Sequence, residues 1–289
     1  METTTALLRW YGPRRTAFPW RGADPYGVLV SEVMLQQTQA ARVARLYPDF
    51  VARFPSVDAL AAASRAEVVR AWSGLGYNRR ALSLSEAARA IVRDHAGRVP
   101  RDPEVLQSLP GIGPYTAAAI AAFAYGREVP AIDTNVRRVV ARARMGRDAH
   151  EVTSAEVRAE AERWIRGVDP AAWNQALMDV GREVCRTKPA CQRCPVARWC
   201  AFRARGAVPS RRPTGTSPFE GSSRQVRGAV IHLLRPVGSL TLRGLAAGSG
   251  HPVEVVADAV RGLARDGLVR AGPAALRGAP SGRVRLSDA

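Results

Sequence analysis

Leu109-Pro110-Gly111-Ile112-Gly113-Pro114-Tyr115-Thr116, an alanine-rich run to Phe123, and then Val129-Pro130-Ala131-Ile132-Asp133 form the stretch around which the chain is organised. Gly111 and Gly113 can both take positive φ without a Cβ penalty, and Pro114 sets φ where a helix can begin. That combination predicts a hairpin whose free backbone N–H groups, with the positive end of the next helix, face an anion such as a phosphodiester. Thr116 to Phe123 reads as a compact helix that neighbours can approach closely. Asp133 then ends an apolar lead-in. It is either the cap of a helix opening at Asn135-Val136-Arg137 or a working carboxylate; the cap is the commoner role, and the two are compatible.

The 289 residues could hold one large domain or two, and 46% hydrophobic residues suffice for a core. With 43 basic and 25 acidic residues the net charge is +18, which points to nucleic acid or another anionic surface rather than generic solubility. No apolar run approaches a membrane span, and Met1-Glu2-Thr3-Thr4 lacks the basic-then-apolar layout of a signal peptide. A cytoplasmic, nucleoid-associated chain with no membrane partner is therefore expected. Lys188 is the only lysine. Arginine stays charged and delocalised, so Schiff-base chemistry would rest on Lys188 or the terminal amine alone.

From Tyr26 to Tyr47 the pattern is helical, with Val28, Leu29, Val33, Met34 and Leu35 on an apolar face. Glu32 is embedded there, followed by Gln36-Gln37-Thr38-Gln39. Periodicity taken alone favours an exposed Glu32; in an apolar setting its pKa would rise and it could donate a proton near neutral pH. The glutamines are either a solvated face or hydrogen-bonding groups for base edges. Helices continue to residue 98, broken at Phe54-Pro55 and at Ser73-Gly74-Leu75-Gly76-Tyr77, where two glycines either turn the chain or bring backbone close to a ligand. Residues 136–184 are again helical, with Val136, Val139, Val140, Trp164, Trp173, Leu177 and Met178 as core candidates. No period-2 strand precedes residue 225, so this much of the chain is all-α.

Cys185, Cys191, Cys194 and Cys200 are the only cysteines, spaced C-x5-C-x2-C-x5-C. In a cytoplasmic chain such a cluster points to a metal site rather than disulfides. Zinc ribbons use two C-x2-C knuckles and only one is present, so a larger iron–sulfur cluster suits the spacing better than zinc. Lys188, Arg186 and Arg193 give that loop a basic, DNA-facing edge. Arg203 to Phe219 reads as a linker rich in Arg, Pro, Gly and Ser. Helices over Val226–Leu234, Leu240–Ala247 and Val253–Arg265, then alternation at 267–270 and 283–286 like a small hairpin, suggest a winged helix, with a merely supportive helical cap as the plainer reading.

Ser31-Glu32-Val33-Met34-Leu35-Gln36-Gln37-Thr38-Gln39, Trp72-Ser73-Gly74-Leu75-Gly76-Tyr77, the Leu109 hairpin, Ile132-Asp133-Thr134-Asn135-Val136-Arg137-Arg138-Val139 and the cysteine loop occur in that order. Together, over roughly residues 7–203, they resemble the A/G-specific adenine DNA glycosylases (the MutY family) of the helix-hairpin-helix superfamily. The hairpin and Asp133 are shared across that superfamily, whereas Glu32 with the glutamines is the more specific part.

The resemblance implies a two-lobed all-α helix-hairpin-helix glycosylase core over 1–205, one lobe from 27–130 and the other from 1–26 and 131–205 with the four-cysteine metal loop. A linker over 206–222 and a small winged-helix-like domain over 223–289 complete the expected organisation. It also implies a monofunctional enzyme that flips adenine out of double-stranded DNA, opposite 8-oxoguanine or guanine, and cleaves its glycosidic bond. Glu32 would protonate adenine N7 and help activate water. Asp133 would stay ionised and stabilise, or briefly bond to, the sugar carbon, with Tyr115 and Asn135 ordering the site around it. Tyr115 stands where bifunctional relatives carry their Schiff-base lysine. Gln36, Gln37 and Tyr77 match positions that probe or wedge the duplex, and Gly111, Gly113, Thr116 and Lys188 are further DNA-binding candidates. The cysteines would hold a 4Fe-4S cluster. One lesion needs one active site, so a monomer is expected.

The sequence departs from the family at several points. The first cysteine gap is five residues where six is usual, Thr134 stands for a usual glycine, and Asn78 for a common second tyrosine. The tail is too short and wrongly patterned for the Nudix-like domain with which many relatives recognise 8-oxoguanine. Two other readings compete: a T:G mismatch thymine glycosylase on the same fold, and a non-catalytic DNA-binding iron–sulfur protein. Paired Glu32 and Asp133 argue against the second, because binding alone needs neither.

Overall fold

The computed structural model describes residues 2–14, 16–209 and 219–288. The chain opens with α1 (Glu2–Tyr11), α2 (Pro25–Leu35) and α3 (Ala40–Arg53). Ser56 and Ser64 then start α4 (Val57–Ala62) and α5 (Arg65–Ala71) by accepting from the Ala59 and Glu67 amides, and Glu67 reciprocates to complete a capping box. α6 (Arg79–His95) ends in a left-handed Ala96. α7 (Pro103–Gln107) is capped by Asp102, and α8 (Pro114–Tyr125) begins on a proline at its first position. α9 (Thr134–Val140) is capped by Asp133 and runs on through a π turn, Ala141–Met145. α10 (Ser154–Ile165), α11 (Pro170–Glu183) and the short α12 (Ala201–Ala204) complete this part. There follow α13 (Ser223–Leu234), β1 (Leu240–Thr241), α14 (Leu242–Ser249), α15 (Val253–Arg265), β2 (Val269–Ala271), α16 (Pro273–Leu276) and β3 (Arg283–Leu286).

Two compact units emerge. The first comprises Met1–Glu32, Pro100–Ser108 and Ile112–Thr214. Within it α11 lies against α9, α1 and α8, while α7 lies against α8. Its core joins Leu7, Val136, Val140, Leu177 and Val180, with Trp164 and Trp173 meeting edge to face at 5.8 Å between ring centres. α8 is small and apolar all round, so Ala118 and Ala119 can pack closely with Ala131 just ahead of Asp133.

The second unit comprises Val33–Val99, Leu109–Gly111 and Gly215–Ala289. α4 and α5 lie on α6, and α13, α14 and α15 on one another. One core cluster joins Ala66, Val69 and Leu82 to Val230, Leu245 and Val260, so the C-terminal helices share buried surface with α5 and α6. The antiparallel sheet has the order β1-β3-β2, with Leu240 opposite Val284 and Val269 opposite Leu286. This is the helix–strand–helix–helix–strand–strand order of a winged helix, with α16 inserted between β2 and β3.

Local differences from the sequence reading have simple causes. The helix expected from Tyr26 to Tyr47 breaks after Leu35, and the glutamines sit in the turn before α3 rather than on a helix face. Gly111 takes φ +76°, whereas Gly113 is extended at φ −87° as the N-cap of α8. Leu240 and Thr241 form a strand instead of starting a helix, because Thr241 serves as the cap of α14. The two late strands pair, but with α16 between them they form no tight hairpin. Of the expected linker over 206–222, residues 210–218 lie outside the described residues. No helix of the described residues is long and apolar enough to cross a membrane.

Candidate active site

Three elements of the first unit bring the catalytic candidates together: the body of α2, the first turn of α8 and the cap of α9. Glu32 is only 3% exposed, which overturns the exposed reading that periodicity favoured. The reason lies in α2 itself: Val28, Leu29, Val30, Ser31, Val33 and Met34 are all buried, so the helix has no solvent face to offer a carboxylate. Burial pushes the Glu32 carboxyl up to about 7, against a hydrogen bond from Tyr115 that lowers it and the nearby charge of Asp133 that adds to the rise. Among the described residues Glu32 Oε2 has no hydrogen-bond partner. Burial also raises the Tyr115 phenol well above its ordinary value, helped by the negative charges of Glu32 and Asp133, so the phenol keeps its proton and donates to Glu32. Tyr115 thus holds Glu32 by a hydrogen bond and also feels the Asp133 charge.

Asp133 is both cap and candidate. Its Oδ1 accepts from the Asn135 and Val136 amides at 2.9 and 2.7 Å, and its Oδ2 accepts from Asn135 Nδ2 at 2.9 Å. A carboxylate holding three N–H donors is fixed in rotamer. Behind it stand residues that sequence reading left without a role. Arg138 donates to Asn135 Oδ1 at 2.8 Å, to the Gly181 carbonyl at 2.7 Å and to the Cys185 carbonyl at 2.5 Å. Gly181 lets α11 approach so closely that a Cβ there would lie 2.5 Å from Asn135 Cβ. Asn174, fully buried, accepts from the Ala131 amide at 2.7 Å and donates to the Val129 carbonyl at 3.0 Å, holding the lead-in to Asp133. A glycine inside a helical pattern, such as Gly181, was the one sequence signal of this close contact.

In the hairpin, Gly111 is required twice: by its positive φ, and by Ser83 Cβ 2.6 Å from where its own Cβ would stand. Gly113 is exposed and a Cβ there would meet nothing within 4 Å, so the protein itself sets no steric demand for glycine at that place. Thr116 is 3% exposed in the first turn of α8. In the second unit, Gln36 Nε2 donates to the Gly111 carbonyl at 3.4 Å, while Gln37 and Tyr77 take left-handed φ values of 55° and 44°. Arg80 fastens the turns that carry them, donating to the carbonyls of Val33, Met34, Leu75 and Gly76 at 2.8–3.2 Å.

Cys185, Cys191, Cys194 and Cys200 all line one small cavity of about 30 Å³, together with Arg142 and Phe202. Burial pushes the Cys194 thiol up to about 11 and raises Cys185 as well, so thiolates there call for a compensating cation. Arg142 forms a buried bidentate pair with Asp148 at 3.0–3.1 Å and donates to the Arg186 carbonyl at 2.7 Å, anchoring the loop to the π turn. Among the described residues no group of three or more His, Cys, Asp or Glu side chains is set to hold a metal ion as it stands. Lys188, Arg186 and Arg193 are exposed on the loop.

Residues 30–166 match the family of HhH-GPD superfamily base excision DNA repair proteins. The chain is 47% identical over 237 residues to an adenine DNA glycosylase of Mycobacterium tuberculosis, covering 80% of this chain and 78% of that protein. It is 41% identical to one of Mycolicibacterium smegmatis, over 79% of each chain. Its fold is similar to the solved structure of a thermostable thymine-DNA glycosylase, with a TM-score of 0.65 and 29% identity over 70% of this chain and 95% of that one.

Proposed function

Since the chain belongs to the adenine DNA glycosylase family, within the HhH-GPD superfamily of base excision DNA repair proteins, we propose that its substrate is adenine mispaired with 8-oxoguanine or guanine in double-stranded DNA. The observation that carries the chemistry is the pair of carboxyls in unlike settings. Glu32 is buried, holds its proton up to about pH 7 and has one oxygen without a partner among the described residues, while Asp133 is held by three N–H donors. Such a split assigns acid and counter-charge. Glu32 delivers its proton to adenine N7 as the C1′–N9 bond breaks and the bonding pair leaves with the base. Asp133 faces the positive charge that develops on the sugar. The Glu32 carboxylate then takes a proton from the water that adds to C1′, which restores the acid. Tyr115 stands at the start of α8 without an amine, and Lys188 is the only lysine, so base release proceeds without a lysine-linked sugar.

DNA binding is supported by the net charge of +18 and by the exposed hairpin, where Gly113 leaves room for a phosphate against the first amides of α8. The four cysteines fit a 4Fe-4S cluster, because all four line one cavity. When bound, the cluster supplies four iron–thiolate cross-links that tie the loop together. Single-turnover base release on duplexes pairing A with 8-oxoguanine, G and C, with a T:G duplex alongside, tests the reading. Adenine release that needs alkali to cut the strand is expected. Thymine release without adenine release would favour the thymine reading suggested by the structural neighbour.

A further inference from the structure

In the C-terminal winged helix, α14 and α15 stand where a helix-turn-helix carries its DNA-reading pair, with α15 as the helix that would enter a major groove. Its charges disagree with that role. Four acids follow residue 222, and three of them lie on α15 or at its end: Glu254, Asp258 and Asp266. Glu254 and Asp258 are exposed. Asp258 is ion-paired with Arg261, which also donates to the Leu276 carbonyl at 3.1 Å, so that cation is engaged within the fold. A helix with acids exposed over its first two turns repels a phosphate backbone.

The opposite holds for the sheet. Residues 267–287 carry four arginines, Arg270, Arg277, Arg283 and Arg285, and no acid. Along β3 burial alternates, so Val284 and Leu286 enter the core while Arg283 and Arg285 face solvent. The register sets the exposed Arg270 of β2 directly opposite Arg285 on that outer face. Like charges opposed across a ladder destabilise it. Within the fold that cost is hardly offset: among the described residues Arg270 has no partner, and Arg285 has only the exposed Asp288, at 3.2 Å. Arg283 donates to Ser239 Oγ at 2.9 Å, a neutral group that leaves its charge in place.

The turn between α16 and β3 extends the face. Arg277 is exposed there, and the Arg243 amide at the start of α14 donates to the Pro280 carbonyl at 2.9 Å, which brings a further exposed arginine to the same turn. The turn is already fixed. Gly278 and Ala279 donate to the Ala275 and Ala274 carbonyls at 3.0 and 2.9 Å, and a Cβ on Gly282 would lie 2.2 Å from the Ala275 nitrogen. Binding here therefore orders little backbone.

We propose that the outer face of the β1-β3-β2 sheet, with the 277–282 turn, binds the sugar–phosphate backbone of duplex DNA, and that α15 enters no groove. Charge and spacing select the occupant. Arg283 and Arg285 lie ~7 Å apart along the strand and Arg270 is ~5 Å across from Arg285, an open row of cations that suits a line of phosphates. Such a contact adds affinity and carries no sequence information. It rests on the reading above that the chain binds duplex DNA, and not on which base is removed.

The test measures affinity of the full chain for two undamaged duplexes of unrelated sequence across a range of salt. Arg270→Gln with Arg285→Gln should lower the slope of log K against log salt by about two, equally for both duplexes. Its loss of affinity should then be roughly tenfold larger at about 50 mM than at about 200 mM salt. Arg277→Gln, outside the ladder, should lower the slope by about one. Arg270→Lys with Arg285→Lys keeps the charge and should restore the slope. Arg265→Gln, which removes an exposed arginine of α15, should leave it in place. The melting temperature of the double glutamine variant should equal or exceed the parent's, because the opposed charges are gone. An unchanged slope in the glutamine variants, no rescue by lysine, an equal drop from Arg265→Gln, or a loss confined to one sequence would overturn the proposal. Undamaged DNA takes base release out of the measurement, so a chain that shows these slopes but releases no adenine refutes the glycosylase chemistry alone.

Discussion

Glu32→Gln keeps the shape of a side chain that is 3% exposed and removes its titration, so its consequences follow from burial. The carboxyl titrates at about 7 in the folded protein against an ordinary 4.5. Between those values the unfolded chain has lost the proton and the native protein has kept it. The stability associated with the protonated carboxyl is therefore complete below pH 4.5 and is lost as pH rises through about 7. Above both values the cost of holding the buried charge is ~3 kcal/mol. The amide escapes that cost, though its NH2 takes the place of an oxygen that has no partner, at a pH-independent penalty of ~1–3 kcal/mol. The pH dependence isolates the effect: from pH 4 to pH 8 the variant should gain ~3 kcal/mol relative to the parent, on the order of 5–10 °C in melting temperature. Denaturant melts at the two pH values measure this. In single-turnover adenine release, the parent should lose rate as pH rises through about 7, and the variant should be slower by at least ~100-fold, as expected for loss of a general acid. A stability difference that does not change with pH, or a variant within tenfold of the parent, would refute the assignment.

Asp133→Asn retains a good helix cap, so its melting temperature should stay close to that of the parent while base release collapses. Asp133→Ala should lose ~1 kcal/mol as well, seen by thermal melts run beside the activity assay. Gly181→Ala drives a methyl against Asn135 and should cost ~1–3 kcal/mol, whereas Gly113→Ala meets nothing and should leave stability within ~0.5 kcal/mol but weaken DNA binding, read by anisotropy on an undamaged duplex. Cys194→Ser should abolish any visible chromophore and weaken duplex binding; full affinity together with a colourless parent would contradict the cluster.

The elements legible in the sequence are those whose signals are local. Pro114 at the start of α8 and Asp133 as the cap of α9 are local signals, each acting on backbone within a few residues, so neighbours along the chain suffice to place them. The cysteine spacing is local in the same sense. Glu32 as a residue of interest was legible through family likeness, but its burial was not, because an apolar helix without a polar face gives periodicity nothing to orient. The sharing of a core between α13–α15 and α5–α6, the bracing of the Tyr77 turn by Arg235, and the link from Asn135 through Arg138 to the cysteine loop all join residues far apart in the chain. That Gly111 has no room for a side chain likewise depends on a neighbour, Ser83, that only folding brings to it. The chain alone determined its helical class, the starts of α8 and α9 and the residue types available for chemistry. Tertiary structure decided which carboxyl is desolvated, and the roles proposed for Glu32 and Asp133 follow from that environment, not from residue type.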